Sequence, residues 1–353
     1  MPLNNDTTDK IIPIDFGNRA DCDLWNDFIR SRDHVHCTDQ AEWRLFFEEL
    51  YGIRNYTYAY QEKSRIRGIV SLYHIRSPFM GTMLVTSPFF GYGGFYFDND
   101  DARNALLHKI ESVARTLRVD YIEIRLRDTL PAPYQINTDF VEYDLNLHER
   151  LDDVWGKQLS SNVRRNIRKS LRHDLSFSIT PDYHSCYEVL TRTLRHHGTP
   201  FHGRHFFTLL QKYFGNKVSF SEVRHNGTVV AGGIIIRFRD GIITPYIGSL
   251  KEYRHQGSNY CQYWGIIGHC MEEKIRRFEF GRSPKGSTHV QFKKKWGTEE
   301  CQVMYNYLVL NPAREYRSVS RPARIFLLAT GLWRRLPLFF TNALGPRLFR
   351  YIP

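Results

Sequence analysis

No apolar run in this chain reaches the ~18–20 residues that a bilayer-spanning helix needs, which excludes a helical integral membrane protein. Cysteine is sparse and scattered, at positions 22, 37, 186, 261, 270 and 301, with no C-x-x-C pair. That spacing excludes a disulfide framework and the usual structural zinc sites, and reduced thiols in the cytosol are expected. Residues 1–20 carry Asp6, Asp9 and Asp15 and lack the basic start and apolar core of a secretory signal. A cytoplasmic protein is therefore expected. No residue-level repeat recurs at a fixed period.

What is present is the make-up of a globular protein: 42% hydrophobic and 24% charged residues over 353 positions. That length suits two domains, each long enough to bury its own core. The formal charge of +12 calls for an acidic partner, and its distribution narrows the choice. Eight arginines face one glutamate from Asn311 onward, and Lys157–Arg172 holds six basic residues and no acidic one. The basic character sits in two places rather than over the whole surface.

Periodicity divides the chain into residues 1–150, residues 151–315 and a basic apolar tail, 316–353. In the first part, Trp43, Phe46, Phe47 and Leu50 form most of a helical core stripe, and strands are expected at Tyr56–Tyr60 and Arg67–Tyr73. Ser87–Phe97, rich in glycine and aromatics, reads equally as a binding loop or a structural turn. A helix over Ala102–Leu117 and a strand over Tyr121–Leu126 follow. Near residue 150 the pattern resets. Leu151–Leu171 has helical propensity, Asn226-Gly227 marks a hairpin, and a helix is expected over Asn259–Arg276. A strand at Met304–Leu310 would complete the second half. Two α/β units of similar layout point to a duplication.

Three segments of the second half could carry chemistry. In Leu159–Arg172, Arg164, Arg165, Arg168, Lys169 and Arg172 recur at helical spacing opposite Val163, Ile167 and Leu171. A phosphate-binding face and a solvated face both answer that pattern. Tyr253–Tyr260 places Arg254, Gly257 and Ser258 between a strand and a helix, where backbone N–H groups can converge on a phosphate. Phe278–Gly297 (FEFGRSPKGSTHVQFKKKWG) brings Arg282, Lys293 and Lys294, residue types that hold phosphate and stabilise an oxyanion.

These segments resemble a known group. Leu159–Arg172 resembles the S-x-x-x-R-R-x-I-R-K-A signature of the FemAB and BioF2-like acetyltransferases of the GNAT superfamily. Phe280–Ser283 and Phe292–Gly297 resemble its C-terminal FxFGRS and FKKxWG signature, and His197-Gly198-Thr199-Pro200 its central Leu-Gly-Thr-Pro. Trp333–Pro346 resembles the tail of FemAB-related proteins associated with PEP-CTERM systems. The loop at Arg254–Gly257 resembles the pyrophosphate loop of GNAT enzymes, with Asn259 where a second small residue belongs.

The resemblance implies an α/β fold of two tandem GNAT-like domains, each a mixed, mostly antiparallel sheet flanked by helices. It also implies transfer of an acyl or aminoacyl group, from acyl-CoA or aminoacyl-tRNA, to an amine or hydroxyl. The acceptor would be a cell-envelope or exopolysaccharide precursor, in one version lipid-linked. The lysine beside the reacting ester maps to Lys293, and Gly198, Thr199 and Pro200 fall on the substrate side. No tightly bound cofactor is expected. The four histidines of His196–His205 match no zinc spacing, and no metal is expected. No general base is identifiable; Glu279 and Asp240 qualify by chemistry alone. The tail interleaves arginines with Leu, Phe and Trp, which suits either contact with an anionic membrane surface or closure of the fold. Two non-catalytic alternatives draw on the same features: a tRNA- or RNA-binding protein, and a membrane-surface scaffold.

Overall fold

The structure, a computed structural model, describes residues 10–33, 35–314, 316 and 324–352, with backbone alone for 324–328. Two compact units make up the chain: Met1–Thr138 with Val303–Ser318 and Arg350–Pro353, and Asp139–Gln302 with Val319–Phe349. In chain order the first contributes β1 (Lys10–Pro13), α1 (Arg19–Arg30), α2 (Glu42–Tyr51), β2 (Asn55–Glu62), β3 (Arg65–Ser77), β4 (Gly81–Val85), β5 (Phe95–Phe97), α3 (Asp100–Leu117), β6 (Tyr121–Leu126) and β7 (Gln135–Asn137). The second begins with β8 (Phe140–Asn146), α4 (Leu151–Asp153), α5 (Ser161–Ser170), β9 (Leu175–Thr180), α6 (His184–His197), α7 (Arg204–Phe214) and β10 (Val218–His225). It continues with β11 (Thr228–Phe238), β12 (Gly241–Ile243), β13 (Ile247–Ser249), α8 (Ser258–Glu272), β14 (Arg277–Pro284), α9 (Thr288–Lys294) and β15 (Glu299–Gln302). Then come β16 (Met304–Val309), α10 (Arg324–Arg335) and α11 (Leu338–Phe349).

Each unit is built on an eight-stranded sheet. The first runs β1-β2-β3-β4-β6-β16-β7 with β5 beside β3; the second runs β15-β8-β14-β12-β11-β10-β9 with β13 beside β11. Among the described residues each sheet holds one parallel pair, β4 with β6 and β12 with β14, and is otherwise antiparallel. The last strand of each half pairs in the other sheet. β16 lies between β6 and β7, and β8 lies between β14 and β15. Met304–Leu310, expected to complete the second half, thus completes the first. Backbone pairing decides this, and hydrophobic patterning along a strand does not say which sheet will supply the partner.

Other local differences have local causes. Lys10–Pro13 extends the first sheet by pairing with β2 rather than remaining a polar tail, while residues 1–9 lie outside the described residues. The helical stretch from Leu151 breaks at Leu159, which is extended, and restarts where the Ser160 hydroxyl caps Val163 N–H. The glycine loop packs inward: buried Arg125 donates to the carbonyls of Ser87 and Phe90, and Asp39 accepts from Gly94 N–H and the Tyr96 hydroxyl. The tail folds as two helices separated at Pro337. Trp333 and Phe349 are buried, and Arg195 donates to the carbonyl of Leu336 at 2.6 Å. Residues 317–323, part of the basic tail, lie outside the described residues.

In the second unit β8, α5, α8, β14 and α9 share one core, with Tyr143, Ile167, Ile266, Phe278 and Trp296 fully buried. Helix α8 approaches β9 so closely that a Cβ at Gly265 would lie 2.2 Å from Cγ of Phe177, whereas one at Gly268 meets nothing within 4 Å. Gly265→Ala should therefore lower stability by about 1–3 kcal/mol through overpacking. Gly268→Ala should raise it by up to about 1 kcal/mol through helix propensity. Urea denaturation of both variants beside the parent checks the pair, and equal shifts would contradict the packing.

Candidate active site

Strand β14 carries a β-bulge between Glu279 and Arg282, where Gly281 adopts φ +72°. That conformation is costly for a residue with a Cβ, and it frees carbonyls from the ladder. They are taken up by a lysine. After the bulge, Ser287 caps α9, with its hydroxyl accepting from Val290 N–H at 3.4 Å. One helical turn later, Lys293 Nζ donates to the carbonyls of Gly281 at 2.7 Å and Arg282 at 3.3 Å. Burial lowers the Lys293 pKa to about 7, against the opposing pull of Glu142. Glu142 is buried on β8 directly opposite Arg282.

Arg254, one of the expected residues, and two histidines approach this point from different elements. Arg254, in the turn before α8, donates from Nη2 to His197 Nε2 at 3.3 Å and to the carbonyl of Ser249 at 3.2 Å. A guanidinium only donates, so His197 Nε2 is unprotonated and its proton lies on Nδ1. Burial, then the charge of Arg254, lower the His197 pKa to about 4. Its ring centroid is 6.3 Å from that of His289, one turn before Lys293 on α9. Desolvation and the cations of Lys293 and Arg254 also hold His289 below the usual histidine range. Tyr246, half-buried, shares a hydrogen bond of 2.9 Å with His202, and the charge of Arg282 acts on its hydroxyl. The result is a group of cations around imidazoles that are neutral at pH 7.

Gly257, at φ +85°, opens α8, and a Cβ there would lie 3.0 Å from Cβ of Ser170. The loop therefore rests directly on α5. Ser258 is fully buried, its hydroxyl without a hydrogen-bond partner. Asn259 accepts a hydrogen bond from Ser249, so the residue standing where a second small one belongs is turned onto β13. Gly198 ends α6 against α10, a Cβ there lying 2.8 Å from the carbonyl of Thr330. Pro200 is partly buried and Thr199 exposed in the same turn, and Thr199 N–H bonds Leu194.

The remaining expected residues do not join the group. Lys294 pairs with Glu300 at 2.8 Å, away from Lys293. Arg164 spends Nη1 on the carbonyls of Trp155, Gly156 and Leu159 at 3.1, 3.2 and 2.8 Å. Arg168 lies over the Trp155 ring at 5.2 Å, and Arg165 is exposed near Tyr260, whose hydroxyl feels its charge. Of the two carboxylates proposed as bases, Glu279 is held by Arg277 at 2.8 Å and Asp240 lies in the exposed turn between β11 and β12. Sequence reasoning missed His289, Tyr246 and Glu142. The four-residue spacing from His289 to Lys293 becomes informative once Ser287 is read as a helix cap. Among the described residues, no group of three His, Cys, Asp or Glu is placed to hold a metal ion.

Lys293 has a consequence for stability. Its folded pKa of about 7 lies below the ordinary 10.5, so the unfolded chain binds more protons between those values. Stability from this group therefore increases as pH rises from about 7 toward 10.5, by about 1.4 kcal/mol per pH unit. Lys293→Met should remove that slope, leaving the variant's advantage largest below pH 7. Thermal melts of both proteins from pH 6 to 9 measure it, and parallel curves would contradict the burial.

Residues 157–294, the stretch that carries this group, match the family model described as an acetyltransferase (GNAT) domain. No curated protein matches the chain in sequence. Three solved structures share the fold. FemX is 14% identical with TM-score 0.63, covering 86% of this chain and 98% of its own. The tandem GNAT protein from the clavulanic acid biosynthesis pathway is 8% identical with TM-score 0.58, covering 90% and 100%. The C-terminal domain of a proposed lysylphosphatidylglycerol synthetase from Agrobacterium fabrum is 14% identical with TM-score 0.54, covering 83% and 92%. At such identities the likeness is one of fold. The chain thus carries a GNAT-type acetyltransferase domain over residues 157–294, within a fold it shares with FemX and tandem GNAT proteins.

Proposed function

We propose that this protein transfers an acyl or aminoacyl group from acyl-CoA or aminoacyl-tRNA to an amine or hydroxyl of a cell-envelope or exopolysaccharide precursor, by the FemAB type of reaction. The observation that carries this reading is the meeting of Lys293, His197, His289 and Arg254 inside the acetyltransferase segment. The acceptor nitrogen or oxygen attacks the carbonyl carbon of the donor, the C–S or C–O ester bond breaks, and the leaving group takes a proton. A neutral imidazole, His289 or His197, accepts the proton of the nucleophile. Lys293 in its charged form stabilises the oxyanion, and the bound geometry supplies much of the rate. Arg282 and the Arg254–Ser258 loop, with its buried unpaired hydroxyl, would hold phosphate of the donor.

Two surfaces bear on donor and acceptor. On α5, Arg165, Arg168 and Lys169 are exposed and make no ion pair among the described residues, which favours a polyanionic donor such as tRNA. Leu332, Phe339, Phe340 and Leu344 are exposed on α10 and α11 beside Arg334, Arg335 and Arg347. That arrangement suits the anionic inner face of a cytoplasmic membrane and a lipid-linked acceptor. No helix of the described residues is long and apolar enough to cross a membrane.

Purified protein challenged with acyl-CoAs and aminoacyl-tRNAs, with mass spectrometry of the products, should reveal one class as donor. Lys293→Ala should reduce transfer about 10²–10³-fold; undiminished transfer in this variant and in Arg282→Ala would remove the site from the reaction. If charged Lys293 is required, kcat/KM should fall as pH rises through about 7. Lys293→Arg, which keeps its proton, should move that limb upward. For the tail, Phe339→Ser with Phe340→Ser should abolish flotation with phosphatidylglycerol vesicles, and unchanged flotation would rule out this contact.

A further inference from the structure

The first unit holds a cavity of about 490 Å³ whose lining includes Arg54, Arg76 and Arg350 and no acidic residue. We propose that it is a phosphoryl-binding pocket, a site separate from the transferase chemistry and independent of the function proposed for the second unit.

The sheet builds it. His74 N–H bonds the carbonyl of Arg54 at 2.9 Å, placing these residues opposite each other on β3 and the start of β2. Side chains two apart on a strand share a face, so Arg76 stands beside His74. Helix α3 covers the neighbouring part of that face, over Tyr56 and Leu72, and ends at Leu117. Beyond Leu117 the face carries arginines rather than core residues. Arg350 completes the group. Its Nη2 donates to the carbonyl of Tyr51 at the end of α2, at 2.7 Å, and its guanidinium lies 5.4 Å from the Tyr351 ring.

Nothing within the described residues neutralises these charges. Arg54, Arg76 and Arg350 make no ion pair, which sets them apart from Arg67 and Arg103 of the same unit, each paired with a carboxylate. Burial and the fields of Arg76 and Arg54 keep His74 below the usual histidine range, and its Nε2 is shielded from solvent without a hydrogen-bond partner. Three guanidinium forks and an imidazole N–H supply donors that match phosphoryl oxygens bidentately. The volume lies within the range of small-molecule pockets, about 300–1,000 Å³, and exceeds what one phosphate fills. Tyr56 and Tyr351 line the remainder, so the ligand fitted carries one or more phosphoryl groups on an organic body. A free phosphorylated compound and a phospholipid headgroup both present that chemistry.

Calorimetry with the full chain and inorganic pyrophosphate tests the pocket, alongside co-sedimentation with phosphatidylglycerol vesicles. Arg54→Gln with Arg76→Gln removes two charges from the lining; Arg65→Gln with Arg115→Gln removes two from exposed positions outside it. Circular dichroism confirms that both variants fold. Pyrophosphate affinity reduced at least tenfold in the first variant, and less than twofold in the second, supports a free phosphorylated ligand. Vesicle binding lost only in the first variant, without pyrophosphate binding, supports the same pocket with a lipid as the source. Equal behaviour of the two variants in both assays overturns the proposal.

Discussion

A lysine amine taken out of water must find hydrogen-bond acceptors, lose its proton, or do both, and the second unit is arranged around that requirement at Lys293. The acceptors are the carbonyls of Gly281 and Arg282, available because the β14 ladder slips at a bulge that glycine makes inexpensive. The counter-charge, Glu142, comes from β8 on the opposite side of the same strand. Helix α9 must then start at Ser287 for its second turn to bring the amine onto those carbonyls. Bulge, cap and neighbouring strand form one geometric unit, so a shift in any of them displaces the amine.

The histidines answer to the same cations. Arg254 occupies His197 Nε2 and, with Lys293, depresses His289. Positive groups that would anchor an anionic donor therefore keep the imidazoles neutral and able to accept a proton. Anion binding and proton acceptance are two results of one charge arrangement. The first unit shows a contrasting use of arginine: Arg125 and Arg44 are buried and spent on carbonyls, hydroxyls and Glu123. Those hold the glycine loop and α2 in place, while Arg54, Arg76 and Arg350 make no ion pair among the described residues.

Much of this was legible from the chain. Residues of Leu159–Arg172, Arg254–Ser258 and Phe278–Gly297 do meet in one unit, and helix α5, the hairpin at Asn226-Gly227 and helix α8 lie where spacing places them. Equal arginines in the pattern nevertheless have unequal fates. Arg164 closes a backbone turn, Arg168 lies on Trp155, and Arg165 faces solvent. Helical spacing assigns a face, and what that face meets depends on neighbours remote in sequence. The unit boundary shows the same limit, since no local signal tells β8 to leave the half in which its residues begin.

Residue types and their spacing by themselves determined an α/β chain in two parts, a basic helix, a glycine turn opening a helix, and a lysine pair after Phe292, because these depend on periodicity and on φ preferences within a few residues. Only the tertiary structure decided that Lys293 is buried and Lys294 is not, that Glu142 stands beside it, and that His289 lies in its field with His197 next to that ring. Those facts rest on strand pairing and desolvation between segments that the fold brings together, and the identity of neighbours along the chain carries no record of either.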